Sequence, residues 1–144
     1  MLHQAFNEVY TKFKLHFYQE IFRRFQDREA SLTTVETFCM ESIMALGRPT
    51  VNEFATFMCI SPPNAAYKVN SLVKKGYVVR ARGKEDRRIV YISLSDKGRR
   101  AYEHHAEFHR QMIDSIKEEL TPQELDILYQ ALTKLNRWFR ELNQ

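Results

Sequence analysis

The residues with the clearest chemical use are arginines and lysines concentrated in the second half of the chain. Residues 74–100 carry ten basic side chains against three acidic ones. The whole chain of 144 residues has a formal net charge of only +4, from 22 basic and 18 acidic residues, so the remainder is net acidic. Cationic side chains gathered in one stretch are typical of a surface that contacts nucleic-acid phosphates.

A pair of helices is predicted immediately before and within this stretch. The apolar spacing predicts a short helix over residues 51–58. Ser61 and Pro62 then begin a second helix, because serine caps the first amides and proline is tolerated at the first helical position. That helix is predicted to end at Gly76. Two short helices joined by a tight turn form a helix-turn-helix, whose second helix enters the major groove of duplex DNA.

A charged hairpin is predicted to follow the second helix. Residues 77–82 and 89–94 are rich in β-branched and aromatic side chains, and Gly83 marks the turn between them. The tip of the hairpin has the sequence GKEDRR. A helix-turn-helix followed by a cationic hairpin predicts a winged helix-turn-helix, in which the hairpin is the wing.

The flanking segments are predicted to be helical. Apolar residues recur at spacings of three and four over residues 3–28, 34–46, 96–119 and from 122 to near the chain end. Gly47 is predicted to end the helix 34–46 in a left-handed conformation. Three helix starts carry the pattern T-x-x-E, a capping box: Thr33 with Glu36, Thr50 with Glu53, and Thr121 with Glu124. The predicted fold class is therefore mostly α with a small β-hairpin wing.

Composition excludes several classes of protein. Cys39 and Cys59 are too few for a disulfide scaffold and lack metal-binding spacing, so reduced thiols are expected. The sequence has no signal peptide and no apolar run of membrane-spanning length, which predicts a cytoplasmic protein with no membrane partner. It also has no glycine-rich phosphate loop, nucleophile elbow or paired-carboxylate motif, so neither enzymatic activity nor a cofactor is expected.

Two motifs resemble the MarR family of bacterial regulators. Residues 86–99 have the pattern D-R-R-x-x-x-x-x-L-S-x-x-G-R, which is similar to the family's wing and its exit into the next helix. Residues 72–77, LVKKGY, resemble the family's recognition-helix ending. The resemblance covers nearly the whole chain in the right order.

The resemblance implies a homodimer on double-stranded DNA. In the family the first and last helices intertwine, and each subunit presents one winged helix to a palindromic site. The implied organisation is a dimerisation helix over residues 1–30, a winged helix-turn-helix DNA-binding lobe over 31–94, and dimerisation helices over 95–144. The expected function is sequence-specific transcriptional regulation, as a repressor modulated by a small-molecule effector.

The polar side of the recognition helix is expected to meet DNA. Asparagine can bond an adenine edge in two places, lysine can bond guanine or a phosphate, and tyrosine can pack on a thymine methyl group. The expected DNA-binding residues are Ser61, near the phosphates, with Asn64, Tyr67, Lys68 and Ser71. The alternative is an ordinary solvated helix face, since these residue types occur on any exposed helix.

The resemblance implies distinct roles for Asp86 and Arg88 on the wing. Arg88 would enter the minor groove, whose negative potential attracts a guanidinium where the groove is narrow. Asp86 would hold that side chain through a charge-assisted hydrogen bond. Arg82, Lys84 and Arg87 are expected to contact phosphates. The alternative is a loop charged for solubility.

A small-molecule pocket is also implied, between the dimerisation helices and the DNA-binding lobe. Phe13, Phe17, Phe38 and Met44 offer an apolar, adaptable lining suited to a phenolic, lipid or acyl effector. The alternative for each of them is an ordinary core position.

Three other hypotheses remain open from the sequence. His105 and His109 lie four residues apart and could share a zinc ion, but without further ligands no metal site is expected. Cys39 or Cys59 could sense oxidation, although they are expected on an inward helix stripe and beside the turn before the recognition helix, and buried thiols are usually inert. The third hypothesis is a winged helix whose basic hairpin binds an acidic protein partner instead of DNA.

Overall fold

The computed structural model describes residues 1–26 and 32–142, without the side chains of residues 24–26, 104 and 105. Within that part the chain forms seven helices and one antiparallel hairpin, so the predicted fold class is confirmed. The elements in order are α1 (Leu2–Gln26), α2 (Thr34–Leu46), α3 (Val51–Met58), α4 (Pro62–Lys74), β1 (Val78–Arg82), β2 (Val90–Leu94), α5 (Asp96–Arg100), α6 (Glu103–Glu119) and α7 (Pro122–Leu142).

Local capping sets the ends of α2 and α3. Thr33 Oγ1 accepts from the Glu36 amide at 3.2 Å, and Glu36 Oε2 accepts from the Thr33 amide at 2.8 Å. Thr50 and Glu53 form the same reciprocal pair at the start of α3. Gly47 ends α2 at φ 81° and ψ −79°, so its φ is positive as predicted, but its ψ lies outside the left-handed helical region.

The core of the winged lobe lies where α2, α3, α4 and the hairpin meet. Ala55 of α3 is buried, and its small side chain lets α3 and α4 approach closely. The large fully buried side chains of this core are Met40 and Ile43 of α2, Phe54 of α3, Val69 and Leu72 of α4, and Ile92 of β2. Each such side chain contributes about 1.5–3 kcal/mol on leaving water. The core therefore holds the recognition helix and the wing against α2.

The hairpin is anchored to the start of α3 as well as to itself. Val78 pairs with Leu94 and Arg82 with Val90 in the antiparallel register. The Ile92 amide donates to the Pro49 carbonyl oxygen at 2.8 Å. At the wing's turn, a Cβ on Gly83 would lie 2.5 Å from the Asp86 carbonyl oxygen, so only glycine fits there.

The exit from the wing gives a physical reason for the L-S-x-x-G-R motif. Ser95 Oγ accepts from the Gly98 amide at 3.0 Å and donates to the Gly76 carbonyl oxygen at 2.5 Å. A Cβ on Gly98 would collide with the Tyr77 carbonyl oxygen. The serine therefore ties the first turn of α5 to the end of α4, and the glycine allows the close approach.

The single helix predicted over residues 96–119 is wrong, because the chain forms α5 and α6 with a break at Ala101 and Tyr102. Tyr102, at φ −112° and ψ 2°, leaves helical geometry, and its side chain is buried. The sequence of α5, DKGRR, contains no apolar side chain, so apolar spacing carries no information on where this helix ends. Backbone contacts divide the chain into two compact units, Met1–Arg100 and Ala101–Gln144. The assignment of residues 1–30 and 95–144 to dimerisation stays a prediction.

Two helices carry apolar faces that are exposed in the isolated chain. Phe6, Val9 and Tyr10 on α1 are each more than half exposed. None of the described residues of α7 is buried. The apolar residues that recur at spacings of three and four along it form a seam, and four of them are 42–60% exposed: Leu132, Leu135, Phe139 and Leu142. No helix in the described ranges has the length and apolar character needed to cross a membrane.

Candidate nucleic-acid interface

The tip of the wing holds an arginine in a fixed orientation. Arg88 Nε donates to Asp86 Oδ1 at 3.1 Å, and Arg88 Nη2 donates to Asp86 Oδ2 at 2.9 Å. The Arg88 amide also donates to Asp86 Oδ1, at 3.0 Å. These hydrogen bonds from Arg88 lower the pKa of Asp86 and raise that of Arg88. Because the Arg88 side chain is 91% exposed, the fork presents a positioned guanidinium to a ligand.

The other basic residues of the wing surround this pair. Arg82, Lys84 and Arg87 are exposed. Arg82 Nη1 donates to the Arg87 carbonyl oxygen at 3.2 Å, which braces β1 against the turn. The structure therefore brings together, at the tip of the hairpin, all five wing residues that the sequence singled out.

The recognition helix α4 presents three of its five predicted residues at the surface. Ser61 caps the helix, its Oγ accepting from the Asn64 amide at 3.3 Å. Asn64 and Tyr67 are exposed, with Tyr67 at 74%, and Lys68 is half-buried. A tyrosine with so much exposed surface contributes little to the stability of its own lobe, which favours a role in contacting a ligand.

Ser71, the fifth predicted residue, is half-buried and already bonded within the lobe. Its hydroxyl donates to Glu36 Oε1 at 2.6 Å. Lys75 Nζ donates to Glu36 Oε2 at 2.7 Å, and the Thr33 amide donates to the same oxygen. Glu36 thus joins the first turn of α2 to the last two turns of α4 and holds the recognition helix in place. A DNA contact by Ser71 stays a prediction.

The charge of Glu36 is stabilised in the folded state. Burial opposes the charge and raises the pKa of Glu36, but the hydrogen bonds from Lys75, Ser71 and Thr33 outweigh it. The pKa of Glu36 is lowered from 4.5 to about 2. A carboxylate with a lowered pKa stabilises the fold above its unfolded-state value and loses that stabilisation as the pH falls toward its folded-state value.

We expect acid to weaken the fold through Glu36 between about pH 4.5 and about pH 2. The contribution lost is about 3 kcal/mol, since each pKa unit corresponds to about 1.4 kcal/mol. Urea denaturation of the protein and of Glu36→Gln at a series of pH values measures it. The gap between their free energies of unfolding should be widest above pH 4.5 and should narrow at lower pH. A gap that does not change with pH would contradict the lowered pKa.

Several other basic residues in the stretch 74–100 brace the lobe itself. Arg80 donates to Asn70 Oδ1, which ties β1 to α4. Lys97 Nζ donates to the Lys75 carbonyl oxygen at 2.9 Å and lies 4.4 Å from the centre of the Tyr77 ring. Arg99 likewise donates to the Leu94 carbonyl oxygen. The number of basic residues in this stretch therefore overstates how many cations are available only for contacts with DNA.

The sequence did not predict the roles of two residues at this interface. Glu36 was recognised only as a capping residue, although the structure also gives it two partners on α4. Arg48, in the loop between α2 and α3, lies with its guanidinium carbon 4.9 Å from the centre of the Tyr91 ring. A single arginine between a glycine and a proline gives no sequence signal for such a contact.

The predicted effector residues are partly brought together. Phe17 of α1 and Phe38 of α2 stack with ring centres 6.2 Å apart and an interplanar angle of 25°. Phe13 and Met44 are exposed. An effector site at these residues stays a prediction.

The candidate metal and redox residues are dispersed. In residues 1–26 and 32–142, no group of three or more His, Cys, Asp or Glu side chains is arranged to hold a metal ion. The side chain of His105 lies outside the described residues, and His109 is exposed. Cys39 is buried, and burial raises the pKa of its thiol. Cys59 is exposed in the turn between α3 and α4, where the sequence placed it, and takes a left-handed conformation at φ 54° and ψ 41°.

Comparison with known proteins agrees with this architecture. The sequence profile of the MarR family matches residues 32–90. The HTH-type transcriptional regulator YwhA of Bacillus subtilis is 32% identical over 72% of this chain and 75% of its own length. The crystal structure of Streptococcus pneumoniae FabT in complex with DNA is 26% identical, with a TM-score of 0.65, over 97% of this chain and 99% of that one.

A fold-level match extends to a more distant structure. A mutant of MepR from a multidrug resistant S. aureus clinical isolate is 17% identical, with a TM-score of 0.67, over 96% of this chain and 97% of that one. The profile match, the YwhA identity and the shared winged helix agree with one another. The chain belongs to the MarR family of DNA-binding transcriptional regulators.

Proposed function

We propose that the protein is a homodimeric repressor that occupies a palindromic operator, with one winged helix in each half-site. The observation that carries this proposal is the wing tip, where Asp86 fixes the exposed guanidinium of Arg88. A loop charged only for solubility needs no positioned arginine, since mobile charges serve solubility equally well. The exposed Asn64 and Tyr67 of α4 supply major-groove contacts. The DNA bound to FabT supports the same use of the lobe.

The exposed apolar faces of α1 and α7 support dimerisation. Soluble monomers rarely expose contiguous apolar surface of this kind, because burying it is favourable. The seam along α7 has the alternating three- and four-residue spacing of helices that pack on one another at a shallow angle. A second copy of the chain covers these faces and places the two winged helices on one duplex.

The Phe17–Phe38 stack supports an effector site where α1 meets α2. An apolar effector of phenolic, lipid or acyl chemistry would insert beside these rings and displace α2. Since α2 also carries Glu36, which bonds Ser71 and Lys75, that displacement would reach the recognition helix. The effector's differential affinity for the DNA-bound and free forms sets the response.

Selection of bound fragments from a random duplex pool tests the proposal. We expect an enriched palindrome whose half-site centres lie about 34–36 Å apart, one turn of the DNA helix. Analytical ultracentrifugation should then find two chains on each duplex, and the selected site placed over a promoter should lower transcription in vitro when the protein is added. A single half-site bound by one chain would overturn the dimer. No enriched sequence and no salt-dependent duplex binding would favour the protein-interaction hypothesis.

A further inference from the structure

A cavity opens at the base of the wing, beside the residues already described. Its volume is about 320 Å³, and its lining includes Arg48, Gly83, Lys84, Glu85, Asp86 and Tyr91. Arg48 comes from the loop that precedes α3, whereas the other five belong to the wing. The cavity therefore joins the wing to the helix-turn-helix.

Arg48 is the cation best suited to a ligand in this cavity. Its guanidinium lies over the Tyr91 ring, 4.9 Å from the ring centre. Stacking on an aromatic ring uses the face of a guanidinium and leaves its in-plane N–H donors available for an oxyanion. The Arg48 amide donates to the Leu46 carbonyl oxygen at 3.1 Å, and the neighbouring Pro49 is buried, so the loop that carries the side chain is fixed.

The charge balance of the cavity favours an anion. In the part of the chain that the structure describes, no carboxylate forms an ion pair with Arg48. Of the two carboxylates in the lining, Asp86 is already paired with Arg88. Arg48 and Lys84 therefore face only one uncompensated carboxylate, that of Glu85. The planar fork of an arginine matches two oxygens of a phosphate.

We propose that this cavity is a phosphate site, in which Arg48 and Lys84 bind a phosphodiester of the DNA backbone next to the groove that the wing enters. The inference rests on the proposed DNA-binding function and adds to it a contact from outside both the recognition helix and the wing. A phosphate bound by both residues would bridge the wing and the helix-turn-helix on the duplex, because Arg48 lies in the loop before α3 and Lys84 lies in the wing. Phosphate contacts of this kind set register and do not read sequence.

Fluorescence anisotropy of the selected duplex at several salt concentrations tests the proposal. Arg48→Ala should bind roughly tenfold more weakly, and its slope of log affinity against log salt should fall by about one for each bound chain. Arg23→Ala, the same change at an exposed arginine of α1, should match the wild type. If Arg48→Ala melts at a lower temperature than the wild type, Arg48→Gln replaces it in the titration.

A second experiment identifies the bound phosphate and distinguishes failure of the phosphate site from failure of the proposed repressor function. Among duplexes that carry a neutral methylphosphonate at one position at a time, one position should weaken the wild type clearly more than Arg48→Ala, which keeps only the Lys84 contact. Wild-type affinity and salt slope in both Arg48 variants would overturn the phosphate site and leave the repressor proposal standing. Absence of salt-dependent duplex binding by the wild-type protein would overturn both.

Discussion

Replacing Arg88 with alanine is expected to weaken operator binding by about a hundredfold, with little change in fold or dimerisation. Each wing loses one positioned guanidinium, which is worth about 1–1.5 kcal/mol to binding, and a dimer loses two. The side chain is 91% exposed, and its hydrogen bonds within the described residues go to Asp86, so its removal leaves the core intact. Anisotropy titration with the selected duplex measures the loss, and a thermal melt monitored by circular dichroism checks the fold.

The matched controls separate charge from orientation. Asp86→Ala keeps the Arg88 guanidinium but removes the fork that holds it, so an intermediate loss of affinity is expected. Arg23→Ala removes one exposed arginine from α1 and should bind as the wild type does. Full affinity in the Arg88 variant would mean that the wing does not contact DNA through this residue.

Replacing Glu36 with glutamine is expected to lower the free energy of unfolding by about 2–3 kcal/mol at neutral pH. The amide keeps the shape of the carboxyl group but removes the ion pair between Glu36 and the Lys75 ammonium and weakens the bond from Ser71. Glu36 is buried, at 7% exposure, so solvent does not replace the lost interactions. Urea denaturation monitored by circular dichroism measures the change.

The chain contains two internal controls for this variant. Glu53 and Glu124 occupy the same position in T-x-x-E capping boxes, and both are exposed. Glu53→Gln and Glu124→Gln keep an oxygen that can accept from the cap amide and lose only the negative charge at the helix N-terminus, so each should cost about 0.3–1 kcal/mol. Equal losses in all three variants would show that the contacts of Glu36 with α4 add nothing to stability.

The features predicted well from sequence are those that residues close in the chain determine. The capping boxes at Thr33 and Thr50, the serine cap of α4 and the hairpin turn at Gly83 each depend on residues within a few positions of one another. The caps and the turn follow from backbone geometry and hydrogen-bonding capacity alone. The Asp86–Arg88 fork is also local, but its prediction came from the resemblance to the MarR family.

The features missed from sequence depend on contacts between distant parts of the chain. Ser71 and Lys75 lie 35 and 39 residues from Glu36, and Arg48 meets Tyr91 across the lobe. A serine on a helix face has the same periodicity whether it faces solvent or a glutamate on a neighbouring helix. The break at Tyr102 was missed for a different reason, because α5 contains no apolar side chain whose spacing could mark the end of the helix.

The double proline at the start of α4 has a consequence for how the protein holds DNA. Pro62 and Pro63 have no amide hydrogen, the Asn64 amide is bonded to Ser61 Oγ, and the Ala65 amide is bonded to the Ser61 carbonyl oxygen. The first turn of the recognition helix therefore has no neutral amide to offer a phosphate. Contacts from this end of the helix to the DNA backbone are left to side chains, the Ser61 hydroxyl and the neighbouring cations. Because binding by cations releases counterions, we expect occupancy of the proposed operator to fall as the salt concentration rises.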